Sequence, residues 1–223
     1  MNLRTHGFVP FSYANGPGCR ATLWLQGCPL DCPGCFNADT HAFDQGQSVE
    51  VGQLLDHLKA LAPRIEGLTI SGGEPLMQDP ALSELVHRVR SETSLSIILF
   101  TGFTWEETLN RLRRTNGRPQ QQHLARLHPT KPIASRGAHG EGTPIPSLLP
   151  SVDVLIAGRY DQRQRLARGL RGSANKTLHF FTQRYSAEDI QSVPTGEAII
   201  APDGSVTLSG MESLKLKGEN TLG

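Results

Sequence analysis

Between residues 21 and 114, short apolar runs alternate with segments whose apolar residues recur at helical spacing. The short runs predict buried strands. They are ATLWLQG (21–27), LTISGGEP (68–75) and LSIILFTG (95–102). Strands that alternate with helices in this way favour a parallel sheet covered by helices, so the predicted fold class is α/β.

Capping residues mark where the intervening helices are expected to begin. Ser48 is a suitable N-cap for the first helix. Asp79 is predicted to cap the second helix, with Pro80 in its first turn. Thr104 and Glu107 have the spacing of a capping box at the start of the third helix.

The alternation stops between residues 115 and 150, where six prolines and four glycines fall in 36 residues. We predict a long loop there, with a short helix near 120–127. Further strands are predicted at VDVLIAG (152–158) and TLHFFT (177–182). EAIIAPDGSVTLSG (197–210) predicts a terminal hairpin around Pro202–Gly204.

Length and charge limit the class of protein. The 223 residues fit one domain, residues 1–223, with a Pro/Gly-rich insert at about 115–150. A net charge of +1 gives no field that would favour nucleic acid. No apolar run approaches the roughly 18 residues of a membrane span, and the N-terminus lacks the apolar segment of a signal peptide. We therefore expect a cytoplasmic protein that binds neither nucleic acid nor a membrane.

In the cytoplasm, clustered cysteines are more often metal ligands or redox groups than structural disulfides. The segment GCPLDCPGCFN (27–37) places Cys28, Cys32 and Cys35 in a C-x3-C-x2-C pattern. One hypothesis is a structural zinc site, with His41 or Cys19 as its fourth ligand. The other is a [4Fe–4S] cluster, in which three thiolates leave one iron open to a substrate or cofactor. The spacing by itself leaves both alternatives open.

Three predicted strand ends carry distinctive turns. The cysteine loop follows the first run, SGGEP (71–75) follows the second and TGF (101–103) follows the third. In parallel α/β folds the functional loops leave the C-terminal ends of the strands. We therefore expect these turns to meet in space.

The cysteine pattern after one strand and SGGEP after the next resemble the radical S-adenosylmethionine (radical SAM) superfamily. Within it, five segments are similar, in order, to glycyl-radical-enzyme activases, and most to the activating proteins of anaerobic (class III) ribonucleotide reductase. They are NGPGCRATLWLQGCPLDCPGCFN, ISGGEPL, TGFTWEE, VDVLIAGRY and RGSAN. The resemblance implies an incomplete (β/α) parallel barrel of the radical SAM type. It also implies a [4Fe–4S] cluster and S-adenosylmethionine (SAM) as cofactors.

The same resemblance implies roles for individual residues. Cys28, Cys32 and Cys35 would bind three irons and support catalysis, while the methionine group of SAM would chelate the fourth iron. Reductive cleavage of SAM would yield a 5′-deoxyadenosyl radical. The residues expected to bind SAM are Gly34, Phe36, Gly72, Gly73, Glu74 and Thr101. The two adjacent glycines would let the backbone approach SAM closely, and Glu74 would accept hydrogen bonds from its ammonium group.

The implied partners are a glycyl radical enzyme, such as an anaerobic ribonucleotide reductase, and flavodoxin or ferredoxin as electron donor. Two features depart from the activase pattern: Ala157 stands where that pattern has an acid, and the insert separates the third helix from the next strand. They keep an alternative open, a radical SAM enzyme that modifies a peptide or a small molecule.

Overall fold

A computed structural model describes residues 1–115, 148–200 and 203–211. The strands are β1 (Asn2–Ser12), β2 (Arg20–Leu25), β3 (Gln47–Glu50), β4 (Gly67–Gly72), β5 (Ser96–Thr101), β6 (Val154–Ala157), β7 (Arg165–Arg168), β8 (Arg171–Ser173), β9 (Thr177–Phe180), β10 (Glu197–Ile200) and β11 (Val206–Ser209). The α-helices are α1 (Val51–Leu61), α2 (Ala81–Glu92), α3 (Trp105–Thr115) and α4 (Ala187–Gln191). Short 3-10 helices span Ala38–Thr40, Pro75–Gln78, Leu149–Ser151 and Gln162–Gln164.

A seven-stranded sheet organises the fold, in the order β3-β1-β2-β4-β5-β6-β9. The central strands β2, β4, β5 and β6 are parallel. The outer strands β1, β3 and β9 pair antiparallel with their neighbours. The α/β class with a parallel sheet is therefore confirmed, and the antiparallel outer strands make the sheet mixed.

Two short antiparallel pairs complete the described structure, β7 with β8 and β10 with β11. The pairing of β10 with β11 confirms the predicted terminal hairpin, although Pro202 at its tip lies outside the described residues. Most of the predicted insert, residues 116–147, also lies outside them, as does the short helix predicted near 120–127. Within the described ranges, no helix has the length and apolar character needed to cross a bilayer.

The main core lies between the sheet and its covering helices. The helices α1 and α2 each bury one apolar face, as the helical spacing predicted. The buried residues of α1 are Val51, Leu54, Leu55 and Leu58. Those of α2 are Ala81, Leu82, Leu85, Val86 and Val89. They pack in one cluster with the central strands, which holds the strand ends in fixed positions.

Two of the three predicted helix starts were wrong. Ser48 lies in β3, paired with Arg4 of β1, so α1 begins only after this short strand and Glu50 occupies its N-cap without a side-chain bond. The α2 helix begins after Pro80, and the Asp79 carboxylate accepts from the Ser83 hydroxyl instead of from the helix backbone. Strand pairing replaces the predicted cap in the first case, and a side-chain hydrogen bond replaces it in the second.

The third helix start was predicted correctly. The backbone N–H of Thr104 donates to Glu107 Oε2 at 2.9 Å, and the N–H of Glu107 donates to Thr104 Oγ1 at 3.3 Å. These reciprocal bonds form the expected capping box. The helix therefore starts directly after the turn that leaves β5.

Arg20 closes the opposite end of the parallel strands. Its side chain is fully buried. Its guanidinium donates to Thr69 Oγ1 at 3.0 Å, Ser96 Oγ at 2.8 Å and Tyr185 Oη at 2.9 Å. Tyr185 in turn donates to Glu66 Oε1 at 2.9 Å. This buried arginine is therefore a structural clamp at the N-terminal ends of β2, β4 and β5.

Candidate functional site

The cysteine loop starts where β2 ends. Two backbone bonds fix its first residues against the segment that follows it: Gly27 N–H donates to Thr40 O at 2.7 Å, and Cys28 N–H donates to His41 O at 3.0 Å. The short helix Ala38–Thr40 brings the chain back to make these bonds. The two ends of the loop are thus hydrogen-bonded to each other at the C-terminal end of a central parallel strand.

All three cysteines of this loop are partly buried and none forms a disulfide. The Cys35 N–H donates to Cys32 O at 3.1 Å, which folds the second half of the loop into a tight turn. Burial raises the pKa of the Cys28 and Cys35 thiols. Among the described residues, no three His, Cys, Asp or Glu side chains lie close enough together to hold one metal ion.

The SGGEP turn packs directly on the entrance of the cysteine loop. Gly73 N–H donates to Leu25 O at 2.8 Å, and Glu74 N–H donates to Gly27 O at 2.9 Å. Gly72 has a φ of +107°, and a Cβ there would collide with the Leu25 backbone. A Cβ on Gly73 would lie 2.8 Å from the Gly27 carbonyl carbon. The two glycines therefore let two backbone segments touch, which adds a packing role to the SAM contact predicted for them.

Glu74 connects this turn to the end of β5. Its side chain is fully buried. Oε1 accepts from Leu76 N–H at 3.0 Å and from the Thr101 hydroxyl at 2.8 Å, and Oε2 accepts from Gly102 N–H at 2.6 Å. Burial raises the pKa of the Glu74 carboxyl, although these bonds oppose the effect. The structure thus brings SGGEP and TGF together, as expected from parallel strands.

Gly34 and Phe36 face the segment that follows β6. Gly34 has a φ of +69°, and a Cβ there would lie 2.8 Å from Gln162 Oε1. The Phe36 ring lies 4.6 Å from the Tyr160 ring, centroid to centroid. A Cβ on Gly172 would lie 2.7 Å from Phe36 Cε2. Residues 160–172 therefore cover one side of the cysteine loop.

Of the two residues predicted as a possible fourth zinc ligand, His41 lies beside the cysteine loop and Cys19 does not. Cys19 precedes β2, and the loop follows that strand. A six-residue strand is roughly 20 Å long, so Cys19 lies at the opposite end of the sheet from the other thiols. His41 lies beside the loop, with Nδ1 at 3.7 Å from Asp31 Oδ1. Zinc coordination through Cys19 is excluded by this separation.

Two basic residues near the site were missed by the sequence analysis. The Arg159 guanidinium is bidentate to Glu107, at 2.7 and 3.1 Å. The Lys176 ammonium donates to Gly158 O. Both follow strand β6, whose C-terminal end lies at the same edge of the sheet as the other turns. The sequence did offer a signal for both residues: Arg159 lies in the segment VDVLIAGRY and Lys176 directly follows RGSAN. These segments were recognised as similar to the activases, but no role was predicted for either basic residue.

The donor chemistry of the loop fits an iron–sulfur cluster. Thiolates are the usual protein ligands of such clusters, normally one to each iron. Cys28, Cys32 and Cys35 supply three sulfur donors on one short loop, beside a buried carboxyl and two glycines without side chains. A cluster held by three cysteines has one iron without a thiolate. These residues therefore fit a [4Fe–4S] cluster with an open coordination position.

Comparison with known proteins agrees with this chemistry. A family described as "4Fe-4S single cluster domain" matches residues 14–128. The chain is 32% identical over 186 residues to the anaerobic ribonucleoside-triphosphate reductase-activating protein of Vibrio cholerae, covering 79% of this chain and 97% of that protein. It is 30% identical over 181 residues to the protein of the same name from Haemophilus influenzae, covering 78% and 96%.

The solved structure of QueE from Escherichia coli aligns with this chain at 19% identity and a TM-score of 0.38. The alignment covers 47% of this chain and 54% of the QueE chain. The reductase-activating proteins match far more of the chain. Their matches extend over more than three-quarters of the sequence. The chain therefore belongs to the family of anaerobic ribonucleoside-triphosphate reductase-activating proteins.

Proposed function

We propose that the protein cleaves SAM reductively and uses the resulting 5′-deoxyadenosyl radical to generate a glycyl radical on an anaerobic ribonucleotide reductase. The observation that carries this proposal is the position of the cysteine loop. Its three thiols follow β2, directly beside the buried Glu74 turn and the end of β5. The relatives in Vibrio cholerae and Haemophilus influenzae carry the name of activating proteins for that reductase.

We assign Cys28, Cys32 and Cys35 as the ligands of three irons. A [4Fe–4S] cluster held by these three residues would have one iron without a protein thiolate, and that iron would be available to the amino and carboxylate groups of SAM. When bound, the cluster supplies the single electron that cleaves the sulfur–C5′ bond of SAM. The protein's part is to hold SAM in place and to exclude water from the radical.

We assign the contacts with SAM to residues around the loop, namely Gly34, Phe36, Gly72, Gly73, Glu74 and Thr101. Glu74 is suited to accept from the methionine ammonium because its carboxylate has unused capacity. Oε1 already receives two hydrogen bonds, whereas Oε2 receives one. A carboxylate oxygen accepts about two hydrogen bonds. The existing bonds hold this acceptor in a fixed orientation.

Phe36 is suited to shield one side of the SAM site. Its ring packs on Tyr160, and the Arg165 guanidinium lies 5.2 Å from the ring centroid. Gly34 keeps the neighbouring backbone free of a side chain, so Gln162 approaches the loop. These contacts support a role for residues 160–165 in excluding water from the radical.

The finer architecture is also a proposal. We infer that β2, β4, β5 and β6 form an incomplete barrel of the radical SAM type, with the site at the C-terminal ends of its strands. The parallel pairing and the helices after β4 and β5 support this inference. We further infer that residues 1–223 form one domain and that the segment at about 115–150 is an insert in it.

The proposed partners follow from the reaction. The glycine to be activated belongs to a reductase of the kind named for the relatives, and a one-electron donor such as flavodoxin or ferredoxin provides the reducing equivalent. We place the protein in the cytoplasm, where thiols stay reduced. No nucleic acid and no membrane is part of this proposal.

The test is an anaerobic reconstitution with iron, sulfide, dithionite and SAM. The wild type is expected to form 5′-deoxyadenosine, and with added anaerobic reductase to produce the electron paramagnetic resonance (EPR) doublet of a glycyl radical. Cys32→Ala is expected to abolish both products. Cys19→Ala is the matched control, because it removes a thiol at the far end of β2, and it should retain both products.

Each outcome decides a different part of the proposal. Bound zinc without iron, and no 5′-deoxyadenosine, would overturn the radical chemistry. Formation of 5′-deoxyadenosine without a glycyl radical on the reductase would overturn the choice of target. That second result would favour the alternative of a peptide or small-molecule substrate.

A further inference from the structure

We propose that the Lys176 ammonium raises the reduction potential of the cluster, so that the cluster accepts an electron more readily. The inference rests on the proposed assignment of Cys28, Cys32 and Cys35 as its ligands. It assigns to Lys176 an electrostatic role in electron entry. Lys176 is a positioning residue in this sense, because it acts through its charge and not by contact with the reacting atoms.

Its place in the fold brings Lys176 to the site. The side chain reaches back over the end of β6 and donates to Gly158 O. Gly158 N–H donates to Thr101 O at 3.1 Å, and the Thr101 hydroxyl donates to Glu74. A short chain of hydrogen bonds therefore connects the ammonium group to the turn that packs on the cysteine loop.

No carboxylate of the described residues lies within ion-pair distance of the Lys176 ammonium. Arg159, in contrast, is bidentate to Glu107. Burial lowers the pKa of Lys176, and the negative charges of Cys32, Glu74 and Cys35 oppose that effect. The thiolates of the loop are thus among the groups that its charge acts on most strongly.

A positive charge beside a redox centre favours the more negative oxidation state. Reduction adds one electron from an external donor to the cluster, while no covalent bond is made or broken and no proton moves. Nearby charge is one of the properties that set the potentials of iron–sulfur clusters. A unit charge about 10 Å away, at an effective dielectric constant of about 20, changes such an equilibrium roughly tenfold.

The test is an anaerobic redox titration of the reconstituted protein with dithionite and mediators, followed by EPR, without SAM or partner. Lys176→Met is expected to lower the equilibrium constant for cluster reduction about tenfold, which corresponds to about 59 mV for one electron. Lys176→Gln, which keeps a donor for Gly158 O without the charge, should shift the potential in the same direction. Lys176→Arg keeps the charge and should stay near the wild type.

Lys59→Met is the matched control, because it removes the same charge from an ion pair with Glu92 on the outer helices. Its potential should equal that of the wild type. Loaded neutral variants with an unchanged potential would overturn the inference, and so would a Lys176→Arg potential as low as that of Lys176→Met. A wild type that binds no cluster would instead overturn the proposed function.

A second readout needs no cluster. Burial is unfavourable for the partly buried ammonium, which forms no ion pair among the described residues. Lys176→Gln keeps a donor for Gly158 O and removes the charge, so it should unfold at a higher denaturant concentration than the wild type when both lack iron. An unchanged or lower midpoint for Lys176→Gln would contradict the premise that the folded protein carries an uncompensated charge at this position.

Discussion

The hydroxyl of Thr101 donates a hydrogen bond to Glu74 Oε1 at 2.8 Å. This bond joins the last residue of β5 to the turn after β4. Thr101 also accepts from the Phe103 N–H at 3.1 Å, so one hydroxyl orders both the buried carboxylate and the turn before α3. The relationship makes Thr101 a supporting residue of the site as well as one of the proposed SAM contacts.

Replacement of Thr101 by valine tests this support. Thr101→Val should lower the free energy of unfolding of the cluster-free protein by about 1–3 kcal/mol, since it leaves a buried carboxylate without one of its donors. Urea denaturation under anaerobic conditions measures the loss. Thr22→Val is the matched control, because Thr22 Oγ1 is buried and has no hydrogen-bond partner among the described residues. Equal losses in the two variants would contradict the prediction.

A methyl group on Gly73 should disturb the contact between the SGGEP turn and the cysteine loop. Gly73→Ala places its Cβ 2.8 Å from the Gly27 carbonyl carbon, an overlap that costs about 1–3 kcal/mol. We expect a lower stability and a lower iron content after reconstitution. Gly52→Ala, in α1, meets nothing closer than 3.8 Å and should gain at most about 1 kcal/mol. Normal iron content in Gly73→Ala would refute the close-packing argument.

Glu74 should make the stability of the cluster-free protein depend on pH. Burial raises its pKa, so the folded state keeps a proton that the unfolded state loses near its ordinary pKa of about 4.3. The stability of the wild type relative to Glu74→Gln is therefore greatest below about pH 4.3 and falls as the pH rises through the folded-state pKa. Denaturation curves across this range measure the difference.

Glu92→Gln is the control, because the pKa of Glu92 is shifted in the opposite direction to that of Glu74. Hydrogen bonds from Lys59 and Arg88 lower the pKa of Glu92, so its contribution is present above the unfolded-state pKa and is lost as the pH falls. If the free energies of unfolding of the wild type and Glu74→Gln change with pH in parallel, the Glu74 carboxyl has an ordinary pKa.

The buried clamp at the other end of the sheet should matter for stability. Arg20→Met leaves buried hydroxyl and carbonyl groups without their donor, and we expect a loss of roughly 3–5 kcal/mol. Arg64→Met is the control, because the exposed Arg64 guanidinium stacks 4.3 Å from the Phe11 ring and should contribute about 1 kcal/mol or less. Similar losses in both variants would mean that the buried hydrogen bonds of Arg20 add little.

Much of the fold could be predicted because the central strands are continuous apolar runs. The strands β2, β4, β5 and β6 are buried on both faces. A strand buried on both faces is encoded by a continuous apolar run, which is easy to recognise in a sequence. Strand β1 was missed, since Gly7 and Pro10 interrupt it and several of its residues are exposed. The short β3 was taken for a helix start because its pairing with β1 depends on that missed strand.

The site was predictable where chemistry depends on local spacing. Cys28, Cys32 and Cys35 are recognisable from the sequence because all three lie on one loop. Lys176 and Arg159 were not, because a lysine or arginine has no distinctive neighbours and its position depends on how β6 pairs with β5 and β9. The burial of Arg20 could not be predicted either, since its side chain bonds to Ser96 and Tyr185, which lie far away in the sequence.

The segment that covers the cysteine loop has a consequence for the order of events during translation. Gln162 and Gly172 lie against Gly34 and Phe36, yet they are synthesised long after them. The strands β2, β4 and β5 leave the ribosome first and can already pair around the emerging loop. Vectorial synthesis thus gives the nascent chain a period in which the cysteine loop exists without the segment that later packs on Gly34 and Phe36.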